Sequence, residues 1–180
     1  MSDTEQSKHL HDLVSICSKL PAVSVDQLVG VTRIVSHAPF KGHATLHKLA
    51  ATLAFSDQQM VALVDFLRLL DLVEIADGTV SLTGHGTGFA RANMAERRRI
   101  FADGIVMRIP IMRRMVDTIG SEPTRSLSRT RLTSDLVPNL SQQDSDRLIN
   151  HIVGWARYAD LISVDASDGT VTLKPKRPSA

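Results

Sequence analysis

The sequence predicts a mainly α protein with short β wings, built as two winged-helix-like lobes joined by a long central helical segment. Three observations predict it. Apolar residues recur at helical spacing over most of the chain. The phrase "DLVEIADGTVSLT" returns as "DLISVDASDGTVTLK" with two residues added, so a helix-plus-hairpin ending occurs twice. Between the copies lies a basic, helix-forming stretch interrupted at Pro110.

In the first lobe, "SVDQLVGVTRIVSHA" places Leu28, Val31 and Ile34 on one helix face behind a cap at Ser24. "HATLHKLAATLAF" does the same with Leu46, Leu49 and Leu53, and reads as one helix carrying both His43 and His47. "SDQQMVALVDFLRLLDL" opens with Ser56 and Gln59 in capping-box spacing and runs Met60, Leu63, Val64, Leu67 and Leu70 along one face. Asp77-Gly78 then turns two short strands into a hairpin, because glycine adopts positive φ without steric cost. A single helical stretch is expected over roughly 86–119, ended or kinked by Pro110, with Met112, Met115, Val116 and Ile119 as its later stripe. "GSEPTRSLSRTR" reads as a polar connector. The second lobe begins its helix at Ser141 and Asp144, carries Leu148, Ile152 and Ala156, and closes on the Asp168-Gly169 hairpin. The expected division is an N-terminal extension at 1–19, lobe one at 20–84, the central basic segment and connector at 85–131, lobe two at 132–173 and a basic tail at 174–180.

Composition narrows the function. Aromatics at 4% disfavour base-stacking platforms, and the lone Cys17 has no second thiol for a disulfide or a CxxC site. The polar start "MSDTEQSKHL" is no secretory signal, and no run of about 18 apolar residues spans a membrane. The expected location is cytoplasmic, peripheral to the inner membrane through a partner. Net charge is +2 overall. By segment it is −1 over 1–23, −2 over 24–84, +6 over 85–131, −4 over 132–173 and +3 over the tail.

The basic middle contains "NMAERRRIFA", with Arg97, Arg98 and Arg99 in a row. Successive helix residues differ by about 100°, so the three fan around the helix and do not form one patch. Arg98 shares a face with Met94, Phe101 and Ile105. Arg97 and Arg99, with Arg113 and Arg114 further on, are the candidate partner-binding residues. Solvated arginines with one internal ion pair, a protein-partner surface, and an anion or nucleic-acid site all remain open readings of the run. Duplex DNA is disfavoured, since the third helix of each lobe carries several aspartates within an acidic lobe and phosphate repulsion opposes its docking. His43 and His47 are weak metal candidates lacking a third ligand, so no metal and no cofactor is expected. "TGHGTG" around His85 lacks the Lys-Ser/Thr ending of a phosphate-binding P-loop. No nucleophile elbow or metalloprotease motif occurs, and the chain is not expected to be an enzyme.

"LTGHGTGFARANMAERRRIFADGI" resembles the LTPxGxxFAxADxxERKxxF segment of the C-terminal AAA-associated domain, found on ATP-binding subunits of nitrate/sulfonate/taurine-type ABC importers. "VSVDQLVGV", "LVDFLRLLDLVEI" and "IVGWARYADLISVD" resemble the same domain in order, so that the resemblance spans about residues 20–173. Glu96, Arg98, Phe101, Trp155, Arg157 and Tyr158 are its motif positions with expected structural roles. Gly84 stands where the family pattern has proline, and Asn93 where it has aspartate. The resemblance implies a stand-alone, non-catalytic accessory or regulatory module that acts by protein–protein contact with an ABC transporter ATP-binding subunit. A winged-helix transcription regulator and a small-ligand or metal sensor are the alternatives, and a homo-oligomer is compatible with each.

Overall fold

The computed structural model describes residues 24–175; the expected extension 1–19 and tail residues 176–180 lie outside the described residues. The chain is mainly helical, with eight helices and two three-stranded antiparallel sheets among the described residues. It clusters into two compact units, residues 24–104 and residues 105–175.

The first unit starts with helix α1 (Val25–Ser36), where Ser24 and Gln27 cap each other reciprocally. Its inner face is Leu28, Val31 and Val35, and the buried Thr32 hydroxyl donates back to the Leu28 carbonyl at 3.0 Å. Strand β1 (His43–Thr45) leads into helix α2 (Leu46–Leu53), and helix α3 (Asp57–Leu69) follows with the expected Ser56–Gln59 capping box. Strands β2 (Val73–Ala76) and β3 (Thr79–Leu82) turn at Asp77 and Gly78, both at positive φ, and the sheet order is β1-β3-β2. Helices α4 (Gly84–Arg91) and α5 (Met94–Arg108) come next; α4 packs against α1, and α5 runs past the end of the unit.

His43 and His47 do not share a helix: the Thr45 hydroxyl accepts from the Lys48 N–H, so α2 begins only at Leu46 and His43 sits in β1 opposite Ser81. The stretch 86–109 is not one helix. Asn93 caps a new one, its side-chain oxygen accepting from the Glu96 N–H at 3.0 Å and its carbonyl from the Arg97 N–H at 2.9 Å.

In the second unit, helix α6 (Pro110–Ser121) has its proline in the first turn, where the missing N–H costs no helical bond. Ile109 before it is extended, as the residue preceding a proline prefers. Strand β4 (Ser126–Leu127), helix α7 (Arg129–Leu136), helix α8 (Gln142–Tyr158) and strands β5 (Ile162–Val164) and β6 (Val171–Leu173) complete it, in sheet order β4-β6-β5. The stretch expected as a polar connector therefore holds β4 and the first turn of α7. Its polar residues bond across the sheet: the Ser126 and Thr172 hydroxyls lie 2.8 Å apart, and the Arg125 carbonyl accepts from the Leu173 N–H.

The two units repeat one element order: helix, strand, helix, helix, hairpin. They also repeat its bonds. α3 ends with Asp71 at positive φ and the Leu72 N–H donating to Leu67; α8 ends with Asp160 at positive φ and the Leu161 N–H donating to Ala156. The Leu72 carbonyl accepts from the Thr83 N–H, and the Leu161 carbonyl from the Lys174 N–H. Each αL aspartate meets a base just beyond the last strand, Asp71 with His85 and Asp160 with Lys174.

His151 lies half-buried on α8, its ring stacked 6.3 Å from that of Trp155. Burial, and then the neighbouring Arg147 charge, hold its pKa below the ordinary 6.5. Below that ordinary value the unfolded chain binds the proton more readily than the folded one, so stability falls as the pH drops through this window. In His151→Gln this contribution disappears. Thermal melts at neutral pH and at about pH 5 are expected to show a smaller acid-induced loss in the variant than in the wild type.

Candidate interaction site around the arginine run

The placement of the arginine run starts at a backbone oxygen. The Leu72 carbonyl accepts from the Thr83 N–H at 3.1 Å, while the Thr83 hydroxyl donates to the Asp71 carbonyl at 2.6 Å and accepts from the Gly86 N–H at 2.9 Å. These bonds pin the first turn of α4 onto the end of α3. A Cβ added to Gly86 would stand 1.8 Å from the Leu72 oxygen, so only glycine fits there. With its start fixed, α4 buries Phe89 and Ala90, and the chain turns at Asn93 into α5.

Arg97 then reaches back to α4. Its Nε donates to the Phe89 carbonyl at 3.2 Å and its Nη2 to the Ala92 carbonyl at 2.6 Å, with the guanidinium carbon 5.9 Å from the centre of the Phe89 ring. These carbonyls are the negative end of α4, left without helical donors, and a cation over the ring face adds to the attraction. Arg98 is half-buried and has a partner within the chain. Phe101 and Ile105 on its face are buried, whereas Met94 is 63% exposed. Arg99 is exposed and makes no hydrogen bond or ion pair among the described residues. Glu96 is exposed in the first turn of α5, where a carboxylate complements the helix dipole.

In the second unit Arg114 acts as Arg97 does in the first. Its Nη2 donates to the Asp135 carbonyl at 2.8 Å, near the C-terminus of α7. Arg113 is exposed, with a 3.5 Å approach to the Met107 carbonyl. Trp155 is buried, Tyr158 is half-buried with a partner in the chain, and Arg157 is exposed. His43 shares a 2.8 Å hydrogen bond with Ser81. No group of three or more His, Cys, Asp or Glu side chains is placed to hold a metal among the described residues. No helix among them is long and apolar enough to cross a membrane.

Sequence reasoning missed Thr83, Gly86 and Asn93 as organising residues. Their signals were present as cap spacings, Thr83 three before Gly86 and Asn93 three before Glu96. The close approach to Leu72 had no sequence signal, because it depends on where α3 ends in space.

The first unit thus closes on an "LTxxGxxFA" segment that docks a helix through one glycine and is followed by a capped "ERxxxF" helix. The family model for the C-terminal AAA-associated domain matches residues 47–165, and the chain belongs to that family. No curated protein and no solved structure matches the chain.

Gly86→Ala is expected to cost about 3 kcal/mol in denaturant unfolding, because the backbone it strikes cannot yield as a side-chain tip can. Gly84→Pro is expected to stabilise by about 0.5–1 kcal/mol, since Gly84 is the first residue of α4, Thr83 before it is already extended, and a Cβ there meets nothing within 4 Å. Arg97→Ala should cost about 1–2 kcal/mol by the same measurement, and Arg99→Ala less than about 0.5 kcal/mol.

Proposed function

We propose that this chain is a non-catalytic accessory or regulatory module that acts by protein–protein contact with the ATP-binding subunit of an ABC importer. Family membership over residues 47–165 carries this reading, because the family is named for its association with ATPases. In this reading the protein works in the cytoplasm and reaches the inner membrane only through that partner. The basic middle, residues 85–131, supplies cations for the contact. Of the four candidate arginines, Arg99 in the first unit and Arg113 in the second are exposed, while Arg97 and Arg114 spend their donors on helix ends and contribute mainly by positioning.

A winged-helix DNA-binding regulator is the second reading, favoured by the order helix, strand, helix, helix, hairpin in each unit. The exposed aspartates that open α8, Asp144 and Asp146, and those at the following hairpin, Asp165 and Asp168, count against it, since they repel a phosphate backbone.

Affinity capture of the tagged chain from gently solubilised cells at physiological salt tests the first reading. The expected result is co-recovery of an ABC ATP-binding subunit whose ATP turnover changes when the purified chain is added. Recovery of duplex DNA in place of any transporter component, with affinity falling steeply as salt rises, would overturn it.

A further inference from the structure

Within residues 105–175 most arginines are already used. Arg114 donates to the Asp135 carbonyl, Arg125 approaches the Lys174 carbonyl, Arg129 donates to Asn150 at 2.6 Å, and Arg131 pairs with Glu122 at 2.7 Å and Asp135 at 3.7 Å. Arg147 and Arg157 differ. Both are exposed, and neither has a hydrogen bond or ion pair among the described residues. They lie on one face of α8, ten residues and therefore about 15 Å apart, with Asn150 and Gly154 between them. The opposite face, with Ile149, Ile152 and Ala156, is fully buried.

Gly154 is the second unusual feature. Glycine is the poorest helix former after proline, and among the described residues an added Cβ here would meet no atom within 4 Å. When the two repeats are aligned on Asp71 and Asp160, the positions of Arg147, Asn150, Gly154 and Arg157 hold Gln58, Val61, Asp65 and Arg68 in α3. The second repeat thus carries an extra cation and no side chain where the first carries a carboxylate. Asn150 is held by Arg129, so the middle of the face is pre-set.

We infer that this face of α8 docks an acidic segment of the partner ATPase, with carboxylates reaching Arg147 and Arg157 and the partner backbone passing close over Gly154. The inference rests on the accessory-module reading above. The chemistry of the face favours a protein segment over a nucleic acid. Asp144 and Asp146 at the start of α8, and Asp165 and Asp168 on the hairpin, would repel an evenly charged polyanion but leave room for carboxylates spaced to meet two arginines.

The test titrates the purified ATP-binding subunit recovered by capture against the full-length chain and two variants. Arg147→Glu/Arg157→Glu is expected to weaken binding by about tenfold or more while melting as the wild type does. Gly154→Leu is expected to weaken binding by a similar factor without lowering the melting temperature, a separation that an intramolecular role for Gly154 would not produce. Gly154→Ala, the smaller change, keeps the test open should the leucine disturb folding. Wild-type affinity in both variants overturns this surface and leaves the accessory function standing. Failure of the wild-type chain to bind any ATP-binding subunit overturns both. Binding of a short DNA duplex that the double charge reversal abolishes assigns the face to nucleic acid and overturns it too.

Discussion

The first unit is organised around a single backbone oxygen. The Leu72 carbonyl sits at the exit of α3, accepts the Thr83 N–H, and lies so close to Gly86 that no side chain fits between them. Thr83 closes the arrangement by bonding forward to Gly86 and back to Asp71. Hydrogen bonds and exclusion of a Cβ act at one point, which gives α4 a unique starting direction. Phe89 then enters the core, and Arg97 can find the two carbonyls that end α4. An arginine run that looks in the sequence like one basic feature is thereby divided. Arg97 holds the fold, Arg98 is engaged within the chain, and Arg99 faces solvent.

The same geometry is used twice, with different continuations. Both units end their long helix with an αL aspartate, place a leucine carbonyl at the exit, and return the last strand to it. In the first unit the chain continues from Thr83 into α4 over Gly86; in the second, the donor to Leu161 is Lys174, whose ammonium also pairs with Asp160. An aspartate at positive φ costs backbone strain of about 1 kcal/mol, and in both repeats its side chain reaches a base lying just beyond the last strand. The repeated aspartate therefore marks where the hairpin closes on its helix.

Much of this was legible in the sequence because it is local. The capping boxes at Ser24 and Ser56, the cap at Ser141, the Asp77-Gly78 turn and the break at Pro110 all depend on residues within four positions of one another. The family motif was legible for the same reason. What escaped was set by partners distant in sequence. Strand β1 exists because His43, Ala44 and Thr45 pair with residues 79–81, and β4 because Ser126 and Leu127 pair with Thr172 and Val171. Neither short segment has an alternating pattern long enough to announce a strand. The departures from the family pattern also read differently in three dimensions. Asn93 supplies the same cap oxygen that an aspartate would, and Gly84 occupies a first-turn position open enough for the missing proline.

The arginine run is presented in one fixed orientation only because α4 is locked to the end of α3. Native-state amide hydrogen exchange measures this directly. The Thr83 and Gly86 N–H groups are expected to exchange only through global unfolding, as slowly as the core amides of α3. Exchange of these two amides orders of magnitude faster than that of the α3 core would mean that α4 opens independently and that the arginine run has no fixed orientation.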